Sequence, residues 1–160
     1  MIGLALMAWL TVLICYGGNW LLGQCMIERP LVVGLVAGLL MGDVKTGVII
    51  GASLEAIFMG AVNIGGAISA EPVTATALAV AFTVGAGIDQ GAAITLAVPV
   101  GVVTAFLSIF MNNVFLAFFA GTLDKMAAEG NEKGLAFQHY VLWFVKYAAF
   151  ALIAFLGVYL

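Results

Sequence analysis

Apolar runs interrupted by single charged residues, or by Gly and Pro, set the pattern of this chain. Charge-free stretches run Met1–Ile27, Leu31–Gly42, Ala56–Ala70, Pro72–Ile88, Gln90–Leu123 and Tyr147–Leu160, and a bilayer-spanning helix takes about 20 apolar residues. Some stretches are long enough to span and others are not. The pattern predicts an all-α, polytopic integral membrane protein with short re-entrant or broken helices around a midplane site, the depth at which broken helices of transporters bind. It reads as a single membrane domain over 1–160: N-terminal spans in 1–41, a glycine-rich re-entrant core in 42–91, a long kinked helix in 92–123, a solvated loop in 124–137 and a last span in 138–160.

The first span is predicted over Gly3–Met26, closed by Glu28-Arg29-Pro30, since proline biases the residue before it away from helix. Leu31–Met41 follows, with Gly34, Gly38 and Gly42 four residues apart, a small-residue stripe that lets a neighbouring backbone approach closely. Asp43 is placed to cap the next helix, and Gly47–Met59 and Ala61–Ala70 read as a re-entrant hairpin or a broken helix ended by Glu71-Pro72. Pro72–Val84 is helical and closes in a turn over Gly85–Gly91. Gln90–Leu123 is too long for one straight span, and Pro99 with Gly101 is the natural kink. Asp124–Lys133 gathers charge and reads as a solvated loop or surface helix, before a last span over Gln138–Leu160 with Tyr140, Trp143 and Tyr159 at its ends.

Composition sharpens the class. Apolar residues make up 65% of the chain and charged ones 8%, against about 25% charged in soluble domains. Met1–Ile27 lacks a basic n-region and is too long for a signal-peptide core, so it reads as a retained helix. The net charge of -3 is scattered, which argues against nucleic acid as a partner. Cys15 and Cys25 fall in one predicted helix about 80° apart around its axis, so they read as packing residues and not as a disulfide.

Between Gly42 and Gly91 stand four carboxylates, Asp43, Glu55, Glu71 and Asp89, with Lys45 the only cation. Ionisable side chains inside a bilayer usually mark a substrate or ion path. On a helix, Glu55, Met59 and Asn63 would lie within about 80° of one face, so a carboxylate and an amide would look into one space. That pair suits a polyol, since the carboxylate accepts from hydroxyls while the amide donates and accepts. Gly60, Gly65 and Gly66 would let backbone approach the ligand, whereas Gly47 and Gly51 are packing devices first. Glu71, before proline, reads equally as a site residue or a water-facing side chain. Asn112, in an apolar helix, reads as an interhelical contact or a ligand group, and Asp89 as loop. No nucleophile, zinc or phosphate-loop motif is present, so the available chemistry is binding and passage, with no catalytic residue, metal or cofactor expected.

Arg29-Pro30-Leu-Val-Val-Gly34, Gly42-Asp43-x-x-Thr46-Gly47, Gly51-x-x-Leu54-Glu55-x-x-x-Met59-Gly60 and Asn63-Ile-Gly65 together resemble the IIC subunit of the mannose/fructose/sorbose/N-acetylgalactosamine family of bacterial sugar phosphotransferase systems. Gly91–Gly101 and Asp124-Lys125-Met-Ala resemble the same family, so the likeness covers nearly the whole chain. The resemblance implies a multi-pass subunit of the bacterial inner membrane. It would form a sugar channel with a IID subunit, while cytoplasmic IIA and IIB subunits pass phosphate to a hexose or amino sugar. It implies hetero- and homo-oligomers, Glu55 and Asn63 as the first sugar contacts, and Asp43 as structural. Family chains usually continue for another membrane segment, so this one is expected to be part of a IIC subunit or a shortened member. Two other readings stay open: an ion-coupled carrier with Glu55 as proton relay, and a structural subunit of a sugar-transport complex.

Overall fold

A computed structural model describes residues 2–23, 25–60 and 69–159. Among these, helices run α1 Ile2–Leu21, α2 Pro30–Met41, α3 Val44–Phe58, α4 Pro72–Ala86, α5 Gln90–Phe110, α6 Ala117–Ala128 and α7 Glu132–Tyr159, with a π-helical turn at Met111–Phe115 joining α5 to α6. The all-α class predicted from the pattern is the class observed. Gln90–Phe115 and Glu132–Tyr159 are long and apolar enough to cross a membrane, while Ile2–Gly18, Pro30–Met41 and Pro72–Ala86 are shorter apolar helices.

The bundle is organised around α4. Its run Val73–Ala81 is buried without a break, as expected of a helix apolar on every side, and its Ala, Thr and Val side chains are small enough for α1, α2, α3, α5 and α7 all to pack on it. One face, Val73, Ala77, Leu78 and Ala81, joins Ala5, Ala8, Val12 and Cys15 of α1 and Phe150, Ala151 and Ala154 of α7 in a first core. The other, Ala75, Ala79 and Val80, meets Ile50, Leu54 and Phe58 of α3 and Ala93 and Ala97 of α5 in a second. Threonines inside these helices satisfy their hydroxyls locally: Thr76 donates to the Pro72 carbonyl at 2.7 Å and Thr104 to that of Val100 at 2.8 Å. Large apolar side chains point outward from α5 and α7, among them Val103, Phe106, Leu152 and Leu156.

The glycine stripe closes α2 onto α3, backbone against backbone. A Cβ on Gly34 would run into the Gly47 carbonyl oxygen, and one on Gly51 would stand 2.7 Å from that of Pro30. The hairpin turns at Gly42, whose φ of 84° ends α2 in the left-handed region. Asp43 then caps α3, with Oδ1 accepting from Thr46 N at 3.0 Å and Oδ2 from its hydroxyl at 2.6 Å, as predicted.

Several predicted boundaries move. The first helix ends at Leu21, so Cys25 lies beyond it and is exposed, and only Cys15 packs in the core. The helix that follows Gln90 continues through Pro99 and changes register later, at the π turn, as membrane helices do where neighbouring groups meet the freed backbone. The stretch read as a solvated loop or surface helix is the end of α6, a turn and the start of α7, and α6 buries no residue. Of the predicted segment Ala61–Ala70, residues 61–68 lie outside the described residues.

Candidate functional site

Each carboxylate between Gly42 and Gly91 serves a helix N-terminus, where unpaired N–H groups and the helix dipole favour negative charge. Asp43 caps α3. Asp89 caps α5, its Oδ2 accepting from Gly91 N at 2.9 Å and from Ala92 N at 3.4 Å. Glu71 caps α4 and is 3% exposed, which overturns the water-facing alternative. Its Oε1 accepts from Val73 N at 2.9 Å and from the Tyr16 hydroxyl, and its Oε2 accepts from Thr74 N at 3.0 Å. Its own N–H donates to the Gly101 carbonyl at 2.8 Å, tying α4 to α5. Together these hydrogen bonds offset the desolvation that burying a carboxylate would otherwise cost.

Glu55 does the same across a tertiary contact. The residue in the cap position of α2 is Arg29, which offers no side-chain acceptor there. Glu55, on α3, reaches over: Oε2 accepts from Leu31 N at 3.3 Å and Oε1 pairs with the Arg29 guanidinium. The Arg29 and Glu55 side chains are 44% and 22% exposed, so a carboxylate and a five-donor guanidinium face the surroundings together. Sequence reasoning misses this partner, because Arg29 reads only as punctuation at the end of the first span. Its signal is the motif pairing of Arg29-Pro30 with Leu54-Glu55.

A third polar group lies between the π turn, α6 and α7. Lys146 Nζ donates to Asn112 Oδ1 at 2.7 Å and stands 5.1 Å from the centre of the Tyr147 ring. Tyr147 stacks on Tyr16 with ring centres 4.3 Å apart, which connects this group to Glu71. A cavity of about 390 Å³ opens here, lined by Asn112, Leu116, Leu123, His139, Leu142, Trp143, Lys146 and Tyr147. Asn112 thus makes an interhelical contact, one of the two roles read for it from the sequence. Sequence reasoning also misses Lys146, although a lone cation inside an apolar span is itself a signal.

The remaining predicted site residues separate. Asn63, Gly65 and Gly66 lie outside the described residues. Gly60 is exposed, with open space where a Cβ would stand, and Gly47 and Gly51 are spent in the α2–α3 contact. Glu55 and Glu71 belong to different helix ends, so the structure does not gather the predicted set into one pocket.

A family model described as PTS system sorbose-specific IIC component matches residues 2–160. The chain is similar to the PTS system mannose-specific EIIC component of Escherichia coli (strain K12), with 31% identity over 129 residues, 80% of this chain and 48% of the relative. It is also similar to the fructose permease IIC component of Bacillus subtilis (strain 168), 33% over 112 residues, 70% of this chain and 41% of the relative. The N-acetylgalactosamine permease IIC component 1 of Escherichia coli (strain K12) matches at 29% over 158 residues, 99% of this chain and 58% of the relative. The chain spans about half the length of the curated relatives it matches. A chain in the cryoEM structure of the mannose transporter ManYZ with microcin E492 (MceA) superposes with a TM-score of 0.86 at 28% identity, covering 97% of this chain and 62% of that one.

Proposed function

The chain belongs to the family of the PTS system sorbose-specific IIC component, and on that premise we propose that it forms part of a bacterial inner-membrane sugar permease, binding a hexose or amino sugar and passing it to phosphorylating partners. The observation that carries this reading is the likeness of fold along nearly the whole chain to a subunit of a mannose transporter. A IID-type second membrane subunit is the expected partner, supported by the ManYZ complex in which the similar chain was solved. Cytoplasmic IIA and IIB subunits supply phosphate, and the assembly is a hetero-oligomer built on repeated copies.

Glu55 is the first sugar contact in this proposal. It is the carboxylate of the four whose helix end is shared with a guanidinium, and the pair can accept from and donate to adjacent hydroxyls of one ring. Asn63 follows as the amide partner. Glu71, saturated by hydrogen bonds, holds the start of α4 in place, and Asn112 supports the α7 contact.

Vesicles holding the chain with its membrane partner test the proposal, given a panel of labelled hexoses and amino sugars with and without the phosphoenolpyruvate-driven phosphate chain. Accumulation as sugar phosphate that needs phosphoenolpyruvate is the expected result. Uptake of free sugar that follows a proton gradient would overturn it.

A further inference from the structure

The cavity between the π turn, α6 and α7 holds a buried cation. Lys146 is 9% exposed, and its partners among the described residues are the neutral Asn112 carbonyl oxygen and the face of Tyr147. No described carboxylate lies within ion-pair distance of its ammonium, since the ion pair formed among the described residues joins Arg29 to Glu55. The buried Glu71 carboxylate acts on the ammonium from beyond ion-pair distance and accepts from Tyr16, Val73 and Thr74 instead. No described anion touches the ammonium directly, and a buried charge without a contacting partner is costly.

The shape and depth of the cavity say what that partner is. His139, Leu142, Trp143 and Lys146 follow the i, i+3, i+4, i+7 spacing of one helix stripe, and Leu116 and Leu123 face them, so the lining is apolar along its length with polar groups at intervals. Leu123 and His139 flank the turn after α6, close to the charged residues Asp124, Lys125, Glu129, Glu132 and Lys133, which mark the water side. Lys146 lies six residues beyond Tyr140, about 9 Å further into the membrane. Helical side chains lean toward the helix N-terminus, and a lysine stem carries its charge toward the interface. The ammonium thus reaches for headgroup depth from below. Trp143 adds a donor: its Nε1 is buried with no partner among the described residues.

We propose that this cavity is a binding site for an anionic phospholipid, whose phosphate is held by Lys146 and Trp143 and whose acyl chain lies along Leu116 and Leu142 toward the bilayer. Basic pockets between membrane helices recognise lipid headgroups by this chemistry, and the apolar lining selects a lipid over a free phosphate.

The test uses the full chain purified in detergent with its membrane partner, titrated with phosphatidylglycerol, with phosphatidylethanolamine and with inorganic phosphate, while native mass spectrometry counts bound lipid and thermal unfolding is followed. Phosphatidylglycerol is expected to bind and raise the unfolding midpoint, and the other two are not. Lys146→Met should weaken phosphatidylglycerol at least about fivefold, the worth of one basic residue near an anionic surface, while Lys146→Arg retains it. Leu123→Glu, at the mouth of the cavity, places a repelling charge without touching the buried amine and should weaken binding similarly. It carries the test alone if Lys146→Met does not fold. Equal protection by phosphatidylethanolamine, full protection by inorganic phosphate, or unchanged phosphatidylglycerol binding in Leu123→Glu would each overturn the proposal.

Discussion

Two helices of this molecule begin with proline and lean on a glutamate, yet the two ends are built in opposite ways. At α4 the glutamate is local: Glu71 folds back on Val73 and Thr74, is sealed from solvent, and is clamped by Tyr16. At α2 the cap position holds Arg29, and the acceptor comes from Glu55 on another helix, where both side chains remain partly exposed. A local, buried cap forms with its own helix and fixes the centre of the bundle. A remote, exposed one depends on how α2 and α3 pack, and a ligand hydroxyl can compete for it. The first arrangement suits a scaffold and the second suits a binding end.

The largest effect is expected where the remote cap depends on packing. Gly34→Leu would drive a side chain into the Gly47 carbonyl and push α3, with Glu55, away from Leu31. Because the obstacle is backbone, relief by side-chain rearrangement is blocked, and the cost should exceed about 3 kcal/mol. Loss of a monodisperse detergent-solubilised complex would register it. A well-folded Gly34→Leu protein would show that the close approach of α2 and α3 is dispensable.

Next comes the buried cap. Glu71→Ala removes the cap and leaves the Tyr16 hydroxyl and two N–H groups without an acceptor, a loss of about 3 kcal/mol from the cap and the unsatisfied donors together. Tyr16→Phe deletes one hydrogen bond to a charged group and should cost about 1.5 kcal/mol. Thermal unfolding of the two variants beside wild type in one detergent compares them. If Glu71→Ala unfolds like wild type, the α4 end does not act as a scaffold.

The contrast between these ends also explains which features are legible in the amino-acid sequence. The α2–α3 contact is legible because backbone packing leaves a signature in residue type: glycines at Gly34, Gly38, Gly47 and Gly51 have few other uses at four-residue spacing. Asp43 is legible because a cap acts over three residues. Glu71 is not, since the same local sequence serves a water-facing turn or a buried one, and Tyr16, fifty-five residues away, decides between them. What Arg29 and Lys146 pair with is illegible for a related reason: their partners Glu55 and Asn112 are brought to them by helix packing. The register change at Met111–Phe115 is masked by Pro99, the stronger local signal for a break.

The smallest effect on stability belongs to the residue with the largest expected effect on transport. Glu55→Gln keeps the size of the side chain and an oxygen that can accept from Leu31, and it removes only a partly exposed ion pair, worth less than about 1 kcal/mol. Thermal unfolding should therefore barely move. If the exposed cap is the sugar end, uptake falls sharply in the same preparation, because the amide lacks the charge that strengthens hydrogen bonds from sugar hydroxyls. A protein that stays folded and also transports at the wild-type rate would leave Glu55 with the same structural role as Glu71, and the difference between the two ends would then be one of burial alone.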